Sequence, residues 1–169
     1  HLLVWPKRGR DGDLSAFMRR LTVTHTQRWH AHHRSAGTGP VYQGRFKSFP
    51  VQDDGHLLTA ARYVERNPVR AGLADLAAAW PWGGASARRR GRNPLGEPRP
   101  ELSDWPVDRP RQWSRWVDRP LSEEELEALR RSVRRGAPYG AEPWVKRTAT
   151  KLGLAASLKP IGRPGGRVS

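Results

Sequence analysis

Residues 56–72 read H-L-L-T-A-A-R-Y-V-E-R-N-P-V-R-A-G. Leu57, Leu58, Ala61 and Val64 recur at helical spacing, which predicts an amphipathic helix with one apolar face. Tyr63 lies well round the helix from that face, and Asn67 follows it at i+4, near enough to serve the same site. Asp53 and Asp54 just upstream are side chains suited to an N-cap. The residue before a proline is pushed away from the α region, so Asn67-Pro68 is expected to end the helix. Gly72 closes the following turn.

Working outward, residues 41–51 (V-Y-Q-G-R-F-K-S-F-P-V) read as a strand. Alternation sets Arg45 and Lys47 on the face opposite Phe46 and Ser48, and Gly44 marks a bulge or a close backbone approach. The apolar run His1-Leu2-Leu3-Val4-Trp5, ended by Pro6, reads as a second, buried strand. Between the two, Leu14, Phe17, Met18, Leu21, His25 and Trp29 form one helical stripe, with Asp13 placed to cap it and Gly37 and Gly39-Pro40 to break it. Arg19, Arg20 and Arg28 fall off the stripe. His25, His30, His32 and His33 are spread around this helix, which argues against a metal cluster: His25 reads as a core-edge residue and the other three as solvated or phosphate-facing.

Beyond Trp82 the periodicity stops. Residues 83–120 form a connector rich in Pro, Trp and Arg, including Arg88-Arg89-Arg90-Gly91-Arg92, with Trp105, Trp113 and Trp116 expected to pin it to the body. Ser122 and Glu125 make a capping box for a helix over 121–135 whose buried face is Leu126, Leu129 and Val133. A second helix over 142–152 follows a Gly-bearing turn, a pattern like a helix-turn-helix. A basic tail closes the chain, and its Gly162-Arg163-Pro164 resembles the centre of a minor-groove hook. The expected division is 1–82 for a core, 83–120 for the connector, 121–154 for a helical extension and 155–169 for the tail.

Composition points to the partner. The 169 residues suit one domain or one with an appendage. A formal net charge of +15 creates a field that attracts polyanions, of which nucleic acid is the usual one. No apolar run approaches the ~20 residues of a membrane span. The chain holds no Cys, which excludes disulfides and thiolate metal sites and fits a cytoplasmic location, here with nucleoid association. Because the sequence opens at His1 inside a strand-like run, a fragment lacking its N-terminal part is expected.

The runs 39–51 (G-P-V-Y-Q-G-R-F-K-S-F-P-V), D-D-G-H-L-L and 62–73 (R-Y-V-E-R-N-P-V-R-A-G-L) resemble the REP-associated tyrosine transposases, single-tyrosine members of the HUH nuclease group. The likeness extends from His1 to about Trp82. It implies an α+β fold, a ferredoxin-like core incomplete at the N-terminus, with the C-terminal helices as an extension. It also implies Tyr63 as a nucleophile, with His1 and Asn67 as ligands of a divalent metal (Mg²⁺ or Mn²⁺). The first histidine of the family's pair has no counterpart here.

The residue types make chemical sense of that implication. A phenol ionises near pH ~10, so attack on a phosphodiester at neutral pH needs help, which a metal held by imidazole and an amide oxygen would give by polarising the scissile phosphate. Attack would leave a 5′-phosphotyrosine and a free 3′ hydroxyl, a step that reverses on another strand without ATP. Single-stranded or hairpin DNA suits such a site, because exposed bases stack on aromatics. Arg19, Arg20, Arg28, Arg45, Lys47, Arg66, Arg70, Arg88, Arg89, Arg90 and Arg163 are the candidate DNA contacts. The chain is thus expected to be a transposase acting on DNA as a monomer or homodimer, impaired as a fragment, with no membrane or small-molecule partner. The alternatives are a DNA-binding protein that does not cleave and a helix-turn-helix regulator.

Overall fold

The computed structural model describes residues 1–6, 12–88, 92–98 and 101–159. The described residues are helical, with 51% of them in helices and no β-sheet among them. Among the described residues, β pairing is confined to two isolated bridges, a parallel one between Val51 and Tyr139 and an antiparallel one between Arg92 and Pro98. This corrects the expected α+β, ferredoxin-like core. A strand is stable only when its backbone donors and acceptors meet a neighbour. Residues 1–5 form no bridge with any described segment, and Leu2, Leu3, Val4 and Trp5 are exposed and irregular. Residues 41–50 form no strand either, and of the predicted second strand only Val51 pairs. Gly44 sits there at a φ of 79°, in the left-handed region, with nothing near its Cβ position. A turn conformation, rather than close packing, explains that glycine.

The chain divides into two compact units, one of residues Leu2–Lys47 and the other of His1 with the chain from Ser48 onward. The first unit is built on α1 (Asp13–His33), a helix without a single buried residue. Gly12, at a φ of 103°, is its N-cap, and the Asp13 side chain makes no capping bond. Asp13 instead places its charge in the first turn, where the helix dipole favours it. The predicted apolar stripe is therefore real in sequence but uncovered within its unit: Leu14 and Met18 are half-buried, whereas Phe17, Leu21 and Trp29 are exposed.

The second unit wraps around α2 (Gly55–Glu65). Asp54 caps it, accepting from the His56 backbone N–H at 2.8 Å and from His56 Nδ1 at 2.8 Å. Burial pushes the Asp54 carboxyl up, but the hydrogen bonds and charge of His56 outweigh it and hold the group below its ordinary range. After Arg66 the chain goes on into α3 (Asn67–Arg70) instead of leaving the helix at Asn67 as expected. Pro68 has no N–H to donate, a loss that costs nothing in a first turn. The Arg70 and Ala71 N–H groups still bond to the Arg66 and Asn67 carbonyls at 3.0 Å each.

Next come a 3₁₀ turn (Ala77–Ala79), α4 (Gly84–Ala87), α5 (Trp113–Asp118), α6 (Glu123–Arg135), α7 (Glu142–Lys151) and α8 (Ala155–Leu158). α2 carries core on two sides. Ala61 packs with Ala77, Trp113 and Val117 of the 3₁₀ turn and α5. One residue earlier, Ala60 packs with Leu129 of α6 and with Tyr139. Two adjacent alanines thus let neighbours approach from different directions, because a short side chain reduces the axial spacing. α2 is consequently buried beyond the single apolar face predicted for it, with Thr59, Arg62 and Glu65 inside as well as Leu57.

α6 starts as its sequence predicts: Ser122 Oγ accepts from the Glu125 N–H at 3.1 Å, and Glu125 Oε2 accepts from the Ser122 N–H at 2.9 Å. It does not stand apart as one half of a helix-turn-helix extension. Leu129, 1% exposed, is among the most buried side chains described. α7 packs against α8 instead. The loop between α6 and α7 is tied back by the Val51–Tyr139 bridge, through Gln52 N–H to the Tyr139 carbonyl and Tyr139 N–H to the Pro50 carbonyl, each 2.9 Å. Gln52 Oε1 also accepts from the Ala141 N–H at 2.9 Å.

Gly140 lies inside this tie. A Cβ there would come within 2.6 Å of Gln52 Oε1, 2.8 Å of Gln52 Cβ and 2.7 Å of the Trp144 ring. Gly140→Ala is expected to lower the stability of this unit by about 1–3 kcal/mol, the usual cost of overpacking. Denaturant unfolding followed by Trp fluorescence measures it, and an unchanged midpoint would mean that the loop is not packed as described.

Candidate functional site

The interruption at Arg66 decides what the α2–α3 surface presents. Because helical backbone resumes at once, Tyr63, Asn67 and Arg70, at i, i+4 and i+7, share one side of two consecutive turns. Arg70 Nη2 donates to the Tyr63 hydroxyl oxygen at 3.2 Å and to Asn67 Oδ1 at 2.9 Å. The guanidinium carbon also stands 4.6 Å from the centre of the Tyr63 ring. His1 completes the group, its ring centroid 5.7 Å from that of Tyr63. Tyr63 is half-buried: its ring packs against the cluster of Ala60, Leu129 and Tyr139, while its hydroxyl meets Arg70 at the exposed surface. An anchored ring with a presented oxygen, beside an exposed guanidinium, is an arrangement suited to an anion.

Tyr139 provides the contrast. It is 8% exposed, burial pushes its phenol up, and the nearby Glu125 and Asp54 carboxylates push it further despite a hydrogen bond with Thr59. Its hydroxyl has no access to a large substrate.

Asn67 Oδ1 and the His1 ring are the only two of the implied metal ligands that this sequence supplies. The amide oxygen already accepts from a cationic guanidinium. A dication would compete with that guanidinium for the same oxygen and lie against its charge. Among the described residues no group of three His, Cys, Asp or Glu side chains comes together either. The residues as arranged do not fit a divalent metal site.

Two predicted DNA contacts, Arg66 and Arg88, bond within the fold. Arg66 Nη1 donates to the Asp118 carbonyl at the end of α5. Arg88 forms an ion pair with Glu65 and lies over the Trp105 ring, its guanidinium carbon 4.9 Å from the centroid. The other Glu65 oxygen accepts from Trp113 Nε1 at 2.9 Å. Arg62, 7% exposed, donates to the Arg119 carbonyl at 3.2 Å and to the Pro120 carbonyl, and stacks on Trp116. Arg19, Arg20, Arg28, Arg45 and Lys47 are exposed and belong to the first unit, whereas Tyr63, Asn67, Arg70 and His1 belong to the second. Arg89, Arg90 and Arg163 lie outside the described residues.

Three arginines that sequence reading passed over join Arg88. Arg109, Arg111 and Arg115 line an open cleft of about 600 Å³ with Arg88, Trp113 and Gln112. The run R-P-R-Q-W-S-R was the available signal, but without periodicity it read as connector.

Comparison of this chain with known protein families, with characterised proteins and with solved structures found no match. No helix among the described residues is long and apolar enough to cross a membrane.

The Glu65 cluster yields an asymmetric prediction. The Arg88 side chain is 27% exposed and can turn to water, whereas the Glu65 side chain is 6% exposed and cannot. Arg88→Ala is therefore expected to destabilise the unit more than Glu65→Gln, by roughly 3 kcal/mol against roughly 1–2, because it strands a buried carboxylate. Thermal or urea unfolding of the two variants gives the order, and the reverse order would contradict the network.

Proposed function

We propose that the chain is a DNA-processing enzyme that cuts and rejoins single-stranded or hairpin DNA through Tyr63, in the manner of the tyrosine transposases its motifs resemble. The observation that carries the reading is the pair of hydrogen bonds from Arg70 Nη2, 3.2 Å to the Tyr63 hydroxyl and 2.9 Å to Asn67 Oδ1. Asn67 fixes the guanidinium, and the guanidinium faces the oxygen that would attack.

In the proposed step a DNA phosphate exchanges into the contact that Arg70 makes with Tyr63. The Tyr63 oxygen forms a bond to phosphorus, the bond from phosphorus to the 3′ oxygen breaks, and the phenolic proton passes through solvent to the departing 3′ hydroxyl. The product is a 5′-phosphotyrosine. Arg70 stabilises the charge that gathers on the phosphoryl oxygens, the role that fixed cations play in phosphoryl and acyl transfer. Retaining the phosphodiester energy in the tyrosyl bond lets the step reverse on a second strand. The net charge of +15 supports DNA as the substrate, because each phosphate neutralised releases counterions.

Binding without cleavage is the competing reading, favoured by the four-arginine cleft, which lies in the same unit but shares no residue with the Tyr63 group. One experiment separates them. Hairpin and single-stranded DNA are incubated with the chain in buffers containing Mg²⁺, Mn²⁺ or a chelator, and covalent adducts are resolved on denaturing gels. An adduct is expected that is absent in Tyr63→Phe and forms about 10²–10³-fold more slowly in Arg70→Gln, the usual loss of one electrostatic donor. An adduct surviving in Tyr63→Phe, or none in any buffer, would overturn the enzymatic reading.

A further inference from the structure

The unit of residues Leu2–Lys47 carries a surface that the Tyr63 chemistry does not use. From Leu14 to Gln52 the sequence holds no Asp or Glu at all, yet it holds Arg19, Arg20, Arg28, Arg34, Arg45 and Lys47. These six cations are all exposed. Along one side of α1, His25, Trp29 and His33 follow one another at i, i+4 and i+8. Their rings form a continuous row, with centroids 6.0 Å apart from His25 to Trp29 and 4.1 Å apart from Trp29 to His33. Tyr42 joins the row from the loop after the helix. Its hydroxyl lies 2.8 Å from His25 Nδ1 and its ring centroid 5.6 Å from that of His25. Trp29 and Tyr42 nonetheless stay 44% and 43% exposed.

A row of flat rings left open to solvent and set among unopposed cations has a specific complement. Ring faces attract other flat π-systems, and the cations attract a repeated negative charge. A polymer whose planar groups alternate with phosphates satisfies both, provided those planar groups are not already paired with each other. We infer that the Tyr42–His25–Trp29–His33 row is a stacking platform for the unpaired bases of single-stranded nucleic acid. Its flanking arginines engage the backbone. An anionic lipid surface is the other polyanion that a basic helix meets. It prefers a broad aliphatic face to insert, whereas here imidazoles alternate with the aromatic rings. This platform rests on the DNA-binding part of the proposed function but not on cleavage.

The test measures affinity by fluorescence anisotropy with the full chain and a labelled oligothymidine, beside a duplex of the same length. Trp29→Ala and Tyr42→Ala are each expected to weaken single-strand binding roughly tenfold, with duplex binding changed less than twofold. Trp29→Phe, which keeps a ring, is expected to restore most of the lost affinity. Because neither side chain is buried, far-UV circular dichroism should show helix content unchanged. The covalent-adduct assay on denaturing gels reads the nucleophile by itself, so a failure of the nucleophile and a failure of the platform are told apart. The proposal is overturned if both alanine variants bind the single strand normally, or if they lose single-strand and duplex binding alike. It is also overturned if they lose binding to phosphatidylserine vesicles while keeping the oligothymidine.

Discussion

Glu65 accepts from Arg88 through one carboxylate oxygen and from Trp113 Nε1 through the other, with its side chain only 6% exposed. A carboxylate taken so far from water must be met by donors or it destabilises the fold, and both donors come from chain segments well beyond α2. This pairing draws the connector onto the central helix. Arg62, one turn earlier, does the same from the other end, donating to the carbonyls of Arg119 and Pro120 just before α6 begins. Once α4, α5 and the start of α6 are held there, the small faces of Ala60 and Ala61 can close on their two clusters. The Tyr63 ring is fixed by that closure, and its hydroxyl is left where Arg70 can reach it.

Much of this was legible in the residues, and the rest was hidden for physical reasons. The helix over 56–65, the Asp54 cap and the Ser122–Glu125 capping box are local devices, written in consecutive side chains, and local rules find them. The predicted strands failed because a strand is a relation between segments. An apolar run such as Leu2-Leu3-Val4-Trp5 fits a sheet edge and an exposed coil equally until a partner is present or missing. The α+β expectation depended on that partner. Asn67-Pro68 was misjudged for a related reason: proline disfavours the helix in the residue before it by a modest amount, and the bonds of Arg70 and Ala71 outweigh it here.

The candidate site was half legible. Tyr63 and Asn67 stood out by spacing, and Arg70 was counted among many cations without its particular task. Arg66 and Arg88 looked like DNA contacts because sequence alone shows a charge and not its partner. Once Asp118 and Glu65 are seen beside them, their role is to hold helices together. The His1 ring lies near that of Tyr63, and the cation already at the phenol and amide oxygens is a guanidinium. The positive charge that a tyrosine nucleophile requires is therefore present in the chain itself.

In the proposed reaction Tyr63 and Arg70 together receive a DNA phosphate. A crystal structure of the chain with a hairpin oligonucleotide carrying an uncleavable linkage tests it most directly. A phosphate is expected whose phosphorus lies about 3–3.5 Å from the Tyr63 hydroxyl, the distance of a poised attack, with Arg70 bonded to one of its oxygens. A complex in which the DNA is well ordered elsewhere, and Arg70 still closes on the Tyr63 hydroxyl and Asn67 Oδ1, would contradict it.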